Sequence, residues 1–249
     1  MYKVGIIGVG FVGNALKVSL EKAGKCELKL NDPAKGYNDD LSDCDIGFCC
    51  IHVPTIDGKQ DLDQFDCIPK MFSKNTIVYI KTTILPGTSE ILSQKYDMEI
   101  HFIPEFLRER FAVSDNQKQQ IVCTSHPDKI SEIFGRPQSE LIMVSDTEAE
   151  WAKYVHNCLA VNIIAFMNGV YDEIRIRGQN ADIDQINLAV SASGFINTIY
   201  QHVPGPDGKL GYGGKCFPKD INALGGYVKS PEFSKLIGAI QNINNLRKE

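Results

Sequence analysis

Short apolar runs alternate with helical patterns over the first 146 residues of the chain. Runs rich in valine, isoleucine and leucine predict buried strands at residues 3–8, 27–30, 45–53, 76–81, 99–103, 120–124 and 141–144. Apolar residues three and four positions apart predict helices between several of these strands, at residues 14–23, 89–95 and 127–134. This alternation predicts an α/β fold with a doubly wound, mainly parallel sheet.

From residue 148 onward the pattern is helical. The longest helix is predicted over residues 148–176, with an apolar stripe at Trp151, Val155, Leu159, Ile163 and Phe166. Such a helix would be about 40 Å long, enough to leave one domain and support another. Further helices are predicted at residues 182–192, 221–229 and 231–247. We therefore expect two domains, residues 1–146 and residues 147–249, with the second all-helical and forming a homodimer through the long helix.

A glycine-rich turn follows the first predicted strand and opens the first helix. It reads Gly8-Val9-Gly10-Phe11-Val12-Gly13, a G-x-G-x-x-G pattern, and Asp32 ends the second strand. The glycines would let the backbone approach a pyrophosphate at a helix N-terminus, while the acid would accept hydrogen bonds from ribose hydroxyls. Because a carboxylate repels a 2′-phosphate, the pattern predicts a Rossmann domain that binds NAD rather than NADP. The alternative is a glycine-rich turn of another doubly wound protein.

Polar residues and prolines follow three of the other predicted strands. These segments are Val53-Pro54-Thr55, Lys81-Thr82-Thr83 and Pro104-Glu105-Phe106-Leu107-Arg108-Glu109. Ligands bind beyond the carboxyl ends of strands in such sheets, so we expect these segments to face the same crevice as the glycine turn. Two plainer interpretations stay open, namely helix capping by Thr82 and Thr83 and solvated loop charges at Glu105 and Glu109.

A second glycine-rich segment, near the end of the chain, contains a single cysteine. It reads Gly211-Tyr212-Gly213-Gly214-Lys215-Cys216-Phe217-Pro218-Lys219-Asp220. Pro218 suits the first turn of a helix, and helix N–H groups together with two lysines would favour the thiolate of Cys216. This pattern is typical of an activated nucleophile. The local sequence equally allows a glycine-rich turn with a buried, inert cysteine.

Composition narrows the possible functions. The chain has 249 residues and a formal net charge of −5 without a basic stripe, which argues against nucleic-acid binding. No apolar run approaches the ~18 residues of a membrane span, and the N-terminus leaves no room for a signal peptide. The eight cysteines include no C-x-x-C pair, so we expect no metal site, no disulfide framework and a cytoplasmic location.

Together these motifs resemble the UDP-glucose/GDP-mannose dehydrogenase family, the NAD-dependent nucleotide-sugar 6-dehydrogenases. The resemblance extends over nearly the whole chain, because the motifs occur in the family's order. Besides the segments above, they include Pro86-Gly87-Thr88, Glu150-x-x-Lys153-x-x-x-Asn157-x-Leu159-Ala160 and Phe166-Met167-Asn168. On spacing alone, Lys153 and Asn157 share one face of a helix and would be read as an ordinary exposed polar pair.

The resemblance implies that a UDP-glucose-like nucleotide sugar is oxidised at C6, from primary alcohol to carboxylate, by two hydride transfers to NAD⁺. Such chemistry belongs to polysaccharide biosynthesis. Cys216 would add to the intermediate aldehyde as a thiohemiacetal and then form a thioester. Lys153 and Asn157 would stabilise the oxyanion, and Glu105 would activate water.

The resemblance also implies further site residues. Asp220 would be a second acid near the thiol, and Thr83 would hold a bridging water. Cofactor contacts would come from Gly8, Gly10, Phe11, Val12, Gly13, Asp32, Val53, Pro54, Thr55, Thr83 and Glu109. Substrate contacts would come from Glu105, Phe106, Leu107, Lys153, Asn157, Gly213 and Lys219.

The chain also departs from the family's pattern. Relatives usually continue into a second Rossmann-like domain that binds the nucleotide diphosphate, whereas this sequence ends shortly after Cys216. No arginine occurs between Arg177 and Arg247, where relatives have one that reaches the substrate from a neighbouring subunit. Arg110 also replaces a glycine found in many relatives. We therefore expect a short form that binds the nucleotide weakly or with a partner chain.

Two other functions are compatible with parts of the sequence. A β-hydroxyacid-type dehydrogenase would use a helix lysine and asparagine for a single hydride transfer and would not need Cys216. A non-catalytic NAD-binding subunit would pair with a full-length relative through its long helix. The presence of lysine, asparagine and cysteine together favours the nucleotide-sugar dehydrogenase.

Overall fold

The computed structural model describes residues 1–247, apart from the side chain of Glu109. The strands are β1 Tyr2–Ile7, β2 Cys26–Asp32, β3 Tyr37–Asn38, β4 Ile46–Cys49, β5 Thr55–Ile56, β6 Lys59–Gln60, β7 Ile77–Ile80, β8 Ile100–Phe102, β9 Ile121–Cys123 and β10 Leu141–Met143. The helices are α1 Phe11–Ala23, α2 Ile68–Met71, α3 Thr88–Tyr96, α4 Ala112–Lys118, α5 Pro127–Phe134, α6 Asp146–Ile176, α7 Ile183–Ser191, α8 Phe217–Tyr227 and α9 Pro231–Asn245. Over this part of the chain, no helix is both long and apolar enough to cross a bilayer.

The main sheet has the strand order β3-β2-β1-β4-β7-β8. All its neighbouring strands pair in parallel except β3, which pairs antiparallel with β2 at one edge. Ile6 of β1 lies opposite Leu30 on one side and Phe48 on the other. The strand order reverses at β1, and doubly wound sheets bind ligands beside such a position. The predicted fold, a Rossmann domain followed by a long helix and further helices, is confirmed.

Alternating side chains of the parallel strands fill apolar cores on both faces of this sheet. In β7, Val78 and Ile80 belong to one core, and Ile77 and Tyr79 belong to the other. Successive residues of a strand point to opposite faces, so a strand buried on both faces must be apolar throughout. This requirement explains the unbroken apolar runs that predicted the strands.

The described chain divides into two compact units. The first comprises residues 1–54 and 60–154, and the second comprises residues 55–59 and the chain from Val155 onward. Helix α6 begins in the first unit and continues in the second. The sequence predicts a domain boundary between residues 146 and 147, and this boundary stays a prediction.

In the second unit, α6 and α7 pack around a small apolar core that includes Met167, Ile183 and Val203. Helix α7 begins after Asp182, whose side chain accepts a hydrogen bond from the N–H of Asp184 at 2.8 Å. Aspartate at this position satisfies one of the first backbone donors of the helix, so α7 has a local N-cap.

Most predicted elements are present, and the differences have local causes. The strand predicted at residues 45–53 is shorter, Ile46–Cys49, because its partner β1 ends at Ile7, opposite Cys49. Helix α8 begins at Phe217, earlier than predicted, with Pro218 in its first turn. Strands β3, β5 and β6 are missed by the sequence patterns, because two residues have no detectable periodicity.

A buried carboxylate connects α6 to the start of α3. Glu150 is fully buried, and it accepts hydrogen bonds from the N–H of Gly87 at 2.5 Å, the N–H of Ser89 at 2.9 Å and the Ser89 hydroxyl. Gly87 directly precedes α3 and has φ +87°, so the distant carboxylate caps this helix in place of a local side chain. The motifs containing Gly87 and Glu150 therefore meet in the fold.

We predict that Glu150→Gln lowers the free energy of unfolding by about 1–3 kcal/mol, because an amide cannot accept from all of these donors. Urea unfolding followed by circular dichroism measures this change. Glu132→Gln, at an exposed position on α5, is the matched control and should change stability by less than about 0.5 kcal/mol. Equal stability of the two variants would contradict the capping role.

Candidate active site

The glycine turn between β1 and α1 is open to a ligand at a helix N-terminus. Gly8 has φ +82°, a conformation that favours glycine. A methyl group at Gly13 would lie 2.0 Å from the carbonyl oxygen of Gly8, so a side chain there would prevent this close packing of α1. A methyl group at Gly10 would meet no described atom within 4 Å, so the backbone at this point is accessible.

Asp32, at the end of β2, lies beside this turn. Its Oδ2 accepts a hydrogen bond from the N–H of Val9 at 2.8 Å. Lys35, which no sequence motif marks, donates from Nζ to the carbonyl oxygen of Val9. No side chain caps α1 at Gly10, and Phe11 and Val12 form its first turn, so free N–H groups there favour an anion. These features fit a dinucleotide, with its pyrophosphate at α1 and a ribose near Asp32.

A buried ion pair lies beyond the end of β8. Lys153 Nζ donates to Glu105 Oε1 at 2.7 Å and also to the carbonyl oxygen of Glu105. The two residues are only 4% and 8% exposed. Glu105 Oε2 accepts from the N–H of Leu107 at 2.8 Å, and the Phe106 ring centroid lies 5.6 Å from Lys153 Nζ. The interpretation of Glu105 as a solvated loop charge is therefore wrong.

A second buried lysine, Lys81, follows β7 near the same carboxylate. It is 4% exposed, and its Nζ donates to the carbonyl oxygen of Ile103 at 3.4 Å. Burial lowers the pKa of Lys81, and the negative charge of Glu105 opposes part of that effect. Burial also raises the pKa of the nearby Cys50 thiol to about 12, so this thiol stays protonated at neutral pH. In such a poorly solvated region, each charge acts strongly on a neighbouring reacting group.

The two threonines after β7 form hydrogen bonds with neighbouring segments. Thr82 Oγ1 donates to the carbonyl oxygen of Ile51 at 2.5 Å, so its hydroxyl joins two segments at the carboxyl ends of neighbouring strands instead of capping a helix. Thr83 is buried, and its carbonyl oxygen accepts from the side chain of Gln60 at 2.9 Å. These bonds fix the backbone directly after Lys81.

The segment Val53-Pro54-Thr55 contains an unpaired hydroxyl. Val53 is buried in the first unit, and Thr55 begins the short strand β5 in the second. Thr55 Oγ1 is buried and has no hydrogen-bond partner among the described residues. Buried polar atoms are nearly always paired, so an unpaired one marks a position where a bound ligand or water would donate or accept.

In the second unit, Cys216 directly precedes α8 and Pro218 lies in the first turn of that helix. Asp220, one turn along, is 1% exposed and donates from its N–H to the carbonyl oxygen of Cys216 at 2.9 Å. The Asp220 carboxylate accepts from Asn157 Nδ2 at 2.6 Å and from Lys219 Nζ at 2.6 Å. Asn157 and Lys219 are thus both bonded to Asp220, which lies one helical turn after Cys216.

The burial of these residues bears on two open interpretations, the exposed polar pair and the inert cysteine. Lys153 and Asn157 are each only 4% exposed, so the exposed-pair interpretation is wrong. They share one helix but are bonded to different partners, Glu105 in the first unit and Asp220 in the second. Cys216 is half-buried at a helix start, which disfavours an inert cysteine enclosed in the core.

Two asparagines fix the glycine-rich loop before Cys216. The N–H of Gly211 donates to Asn168 Oδ1 at 2.9 Å. The N–H of Tyr212 donates to Asn244 Oδ1 at 2.6 Å, and the carbonyl oxygen of Tyr212 accepts from Asn244 Nδ2 at 3.1 Å. Past these anchors, a methyl group at Gly213 would meet no described atom within 4 Å, so this backbone is accessible. The sequence patterns do not predict the role of Asn244, because Asn244 lies in none of the motifs.

The remaining predicted residue is Glu109, for which the resemblance implies a cofactor contact. Its side chain lies outside the described part of the structure. Within the first unit the structure brings Asp32 to the glycine turn and Glu105 to Lys153. Within the second unit it brings Asn157, Lys219 and Asp220 together beside Cys216.

Known proteins share this architecture. A UDP-glucose 6-dehydrogenase of Rickettsia conorii is 30% identical over 228 residues, which are 85% of this chain and 51% of that protein. The UDP-glucose 6-dehydrogenase YwqF of Bacillus subtilis is 26% identical over 293 residues, covering 96% of this chain and 65% of that protein. A solved UDP-glucose dehydrogenase from Pyrobaculum islandicum has the same fold, with a TM-score of 0.77, 20% identity and coverage of 99% of this chain and 68% of that chain.

The chain therefore spans between half and two thirds of the length of the curated relatives it matches. A family model matches the second part of the chain, including Asn157, Cys216 and Asp220. Residues 147–246 match the UDP-glucose/GDP-mannose dehydrogenase family, central domain. This match confirms the resemblance predicted from the motifs.

Proposed function

We propose that the chain oxidises the C6 primary alcohol of a UDP-glucose-like nucleotide sugar to the carboxylate, with NAD⁺ as the oxidant. The observation that carries this proposal is the hydrogen bond between Asn157 and Asp220. Asp220 lies one helical turn after Cys216, so this bond holds the Asn157 amide close to the start of the helix that follows the cysteine. The relatives described as UDP-glucose 6-dehydrogenases support the choice of substrate class.

NAD is the proposed cofactor, and Gly8, Gly10, Gly13 and Asp32 are the groups that would hold it. The open backbone at Gly10 and the N–H groups of α1 suit the pyrophosphate, while Asp32 Oδ2 suits a ribose hydroxyl. Thr55, whose buried hydroxyl has no hydrogen-bond partner among the described residues, would be a further cofactor contact. When bound, the nicotinamide ring accepts a hydride from the substrate carbon.

Cys216 would make the second oxidation possible. Loss of a hydride from C6 and a proton from its hydroxyl converts the alcohol to an aldehyde, which is a poor hydride donor. The Cys216 sulfur then bonds to the aldehyde carbon and the carbonyl oxygen gains a proton, giving a thiohemiacetal that has a hydride to lose. Loss of that hydride and the hydroxyl proton leaves a thioester. Water attacks the thioester, the carbon–sulfur bond breaks, and the carboxylate and the thiol are released.

The buried charges would stabilise these intermediates. Lys153 would donate to the substrate oxygen that becomes negative. Its hydrogen bond to Glu105 supports this role, because it holds the Lys153 Nζ in a fixed position. Glu105 would accept a proton from the attacking water, with Thr83 positioning that water. Asn157 would donate a second hydrogen bond to the oxygen, and Asp220, linked to Lys219, would orient Asn157 and the start of α8.

We predict two NADH per molecule of sugar acid for the unaltered chain and at most one NADH per sugar for Cys216→Ser, because the serine variant stops at the aldehyde. Absorbance of NADH and chromatography of the sugar product, screened across UDP- and GDP-sugars, measure both quantities. Cys26→Ser, a half-buried cysteine at the start of β2, is the matched control and should keep the ratio of two.

Two outcomes would contradict the proposal. One NADH per product from the unaltered chain would indicate single-hydride chemistry of the β-hydroxyacid type. NAD binding without turnover of any nucleotide sugar would indicate a non-catalytic subunit. A ratio of two in Cys216→Ser would exclude the covalent step through this sulfur.

We further propose a homodimer formed through the long helix. Val155, Leu159 and Phe166 of α6 are 51%, 55% and 67% exposed, although they belong to its apolar stripe. A helix face with such side chains loses unfavourable contact with water when a second copy covers it. The other two members of the stripe, Trp151 and Ile163, are less exposed.

We predict a dimer mass in light scattering at micromolar concentration, and a monomer mass for the double variant Leu159→Glu/Phe166→Glu, because two charges per copy cannot be buried unpaired. Leu246→Glu, another exposed apolar position but outside α6, is the control and should remain a dimer. A monomeric unaltered chain would contradict the dimer.

A further inference from the structure

A cluster of two imidazoles and a carboxylate lies in the first unit, apart from the proposed active site. Glu99 Oε1 lies 3.1 Å from His101 Nε2 and 2.5 Å from His126 Nε2. One ligand atom from each residue lies within 4.8 Å of the others. Glu99 precedes β8 and Glu105 follows it, so the cluster is at the opposite end of this strand from the Lys153 ion pair.

We propose that Glu99, His101 and His126 bind a divalent transition-metal ion of the zinc class. Two histidines and one glutamate are a common ligand set for Zn²⁺, and imidazole nitrogen is also a good ligand for Co²⁺ and Ni²⁺. Neighbouring ligand atoms around a tetrahedral Zn²⁺ are about 3.3 Å apart for bonds of about 2.0–2.1 Å. The spacing of Glu99 and His101 is therefore close to what the ion requires.

A second carboxylate orients one of the imidazoles. His101 Nδ1 lies 2.8 Å from Asp146 Oδ2, and the other oxygen of Asp146 accepts from the N–H of Phe102 at 2.7 Å. Histidines that bind metals commonly donate their other ring N–H to a carboxylate, which fixes the ring and makes it a stronger ligand. Burial lowers the pKa of His101, but the bonds to Asp146 and Glu99 outweigh it and raise the pKa overall.

The three ligands come from two segments of the unit. Glu99 and His101 are at the edge strand β8, whereas His126 lies between β9 and α5. The proposed ion would replace the hydrogen bonds between both imidazoles and Glu99, and would link the β9 segment to the main sheet. Glu99 is exposed and His126 is half-buried, so a water molecule can complete the coordination from solvent.

The sequence predicts no metal site, because its eight cysteines include no C-x-x-C pair. His101 and His126 are 25 positions apart and become neighbours only when β8 and the β9–α5 loop pack together. Their ring centroids are 6.1 Å apart. Spacing along the chain cannot reveal ligands that different elements contribute.

Titration of the chelator-treated full chain with Zn²⁺ by calorimetry tests the proposal. The double variant Glu99→Gln/His126→Asn should lose one bound ion per chain or at least about tenfold in affinity. Asparagine is chosen because His126 has φ +48°, a conformation that asparagine tolerates. His202→Asn, which alters an exposed pair between His202 and Asp184, is the matched control and should bind as the unaltered chain does.

Co²⁺ absorption spectra identify the ligands, because the eight cysteines could also bind the ion. Visible bands without sulfur-to-metal charge transfer, lost in the double variant but kept in His202→Asn, would support the site. The midpoint of thermal unfolding should rise with Zn²⁺ in the unaltered chain and in His202→Asn but not in the double variant. Equal binding by all three chains, or bands of thiolate coordination in place of the imidazole bands, would overturn the proposal.

Discussion

Three buried polar side chains within about two turns of helix α6 are the constraint on which the rest of the structure depends. Glu150, Lys153 and Asn157 are each 4% exposed or less, and each is bonded to a different segment of the chain. Leaving a buried charge or amide unpaired costs several kcal/mol, so each side chain requires its partner to be in place. Glu150 thereby fixes the start of α3, Lys153 fixes the loop after β8, and Asn157 fixes the start of α8.

The same bonds connect motifs that are far apart in sequence. The loop after β8 contains Glu105, and the start of α8 contains Cys216 and Asp220. Each would be a mobile surface segment without a buried partner on α6, because short loops have few apolar contacts of their own. Within the first unit, Lys153 therefore fixes the carboxylate of Glu105, and within the second unit Asn157 fixes the helix that begins after Cys216. Fixed side chains of this kind suit proton transfer and covalent catalysis.

Much of this architecture could be predicted from the sequence, for identifiable reasons. The strands of the main sheet are buried on both faces, so their unbroken apolar runs are easy to recognise, and the glycine turn has a pattern that its packing against β1 and α1 demands. The burial of Glu105 and Lys153 could not be predicted, because it depends on a contact between residues 48 positions apart. The same limit applies to the Asn244 anchor of Tyr212 and to the convergence of His101 and His126. Two-residue strands such as β5 are also invisible, since they have no periodicity.

The central claim is that Cys216 forms a covalent bond to the oxidised sugar carbon. Mass spectrometry of the chain, quenched with acid during turnover of NAD⁺ and a limiting amount of UDP-glucose and then digested, tests this claim most directly. The account predicts that the peptide containing Cys216 gains the mass of the sugar-nucleotide acyl group, while the peptide containing Cys158 stays unmodified. A Cys216 peptide that stays unmodified at every time point while NADH accumulates would contradict it.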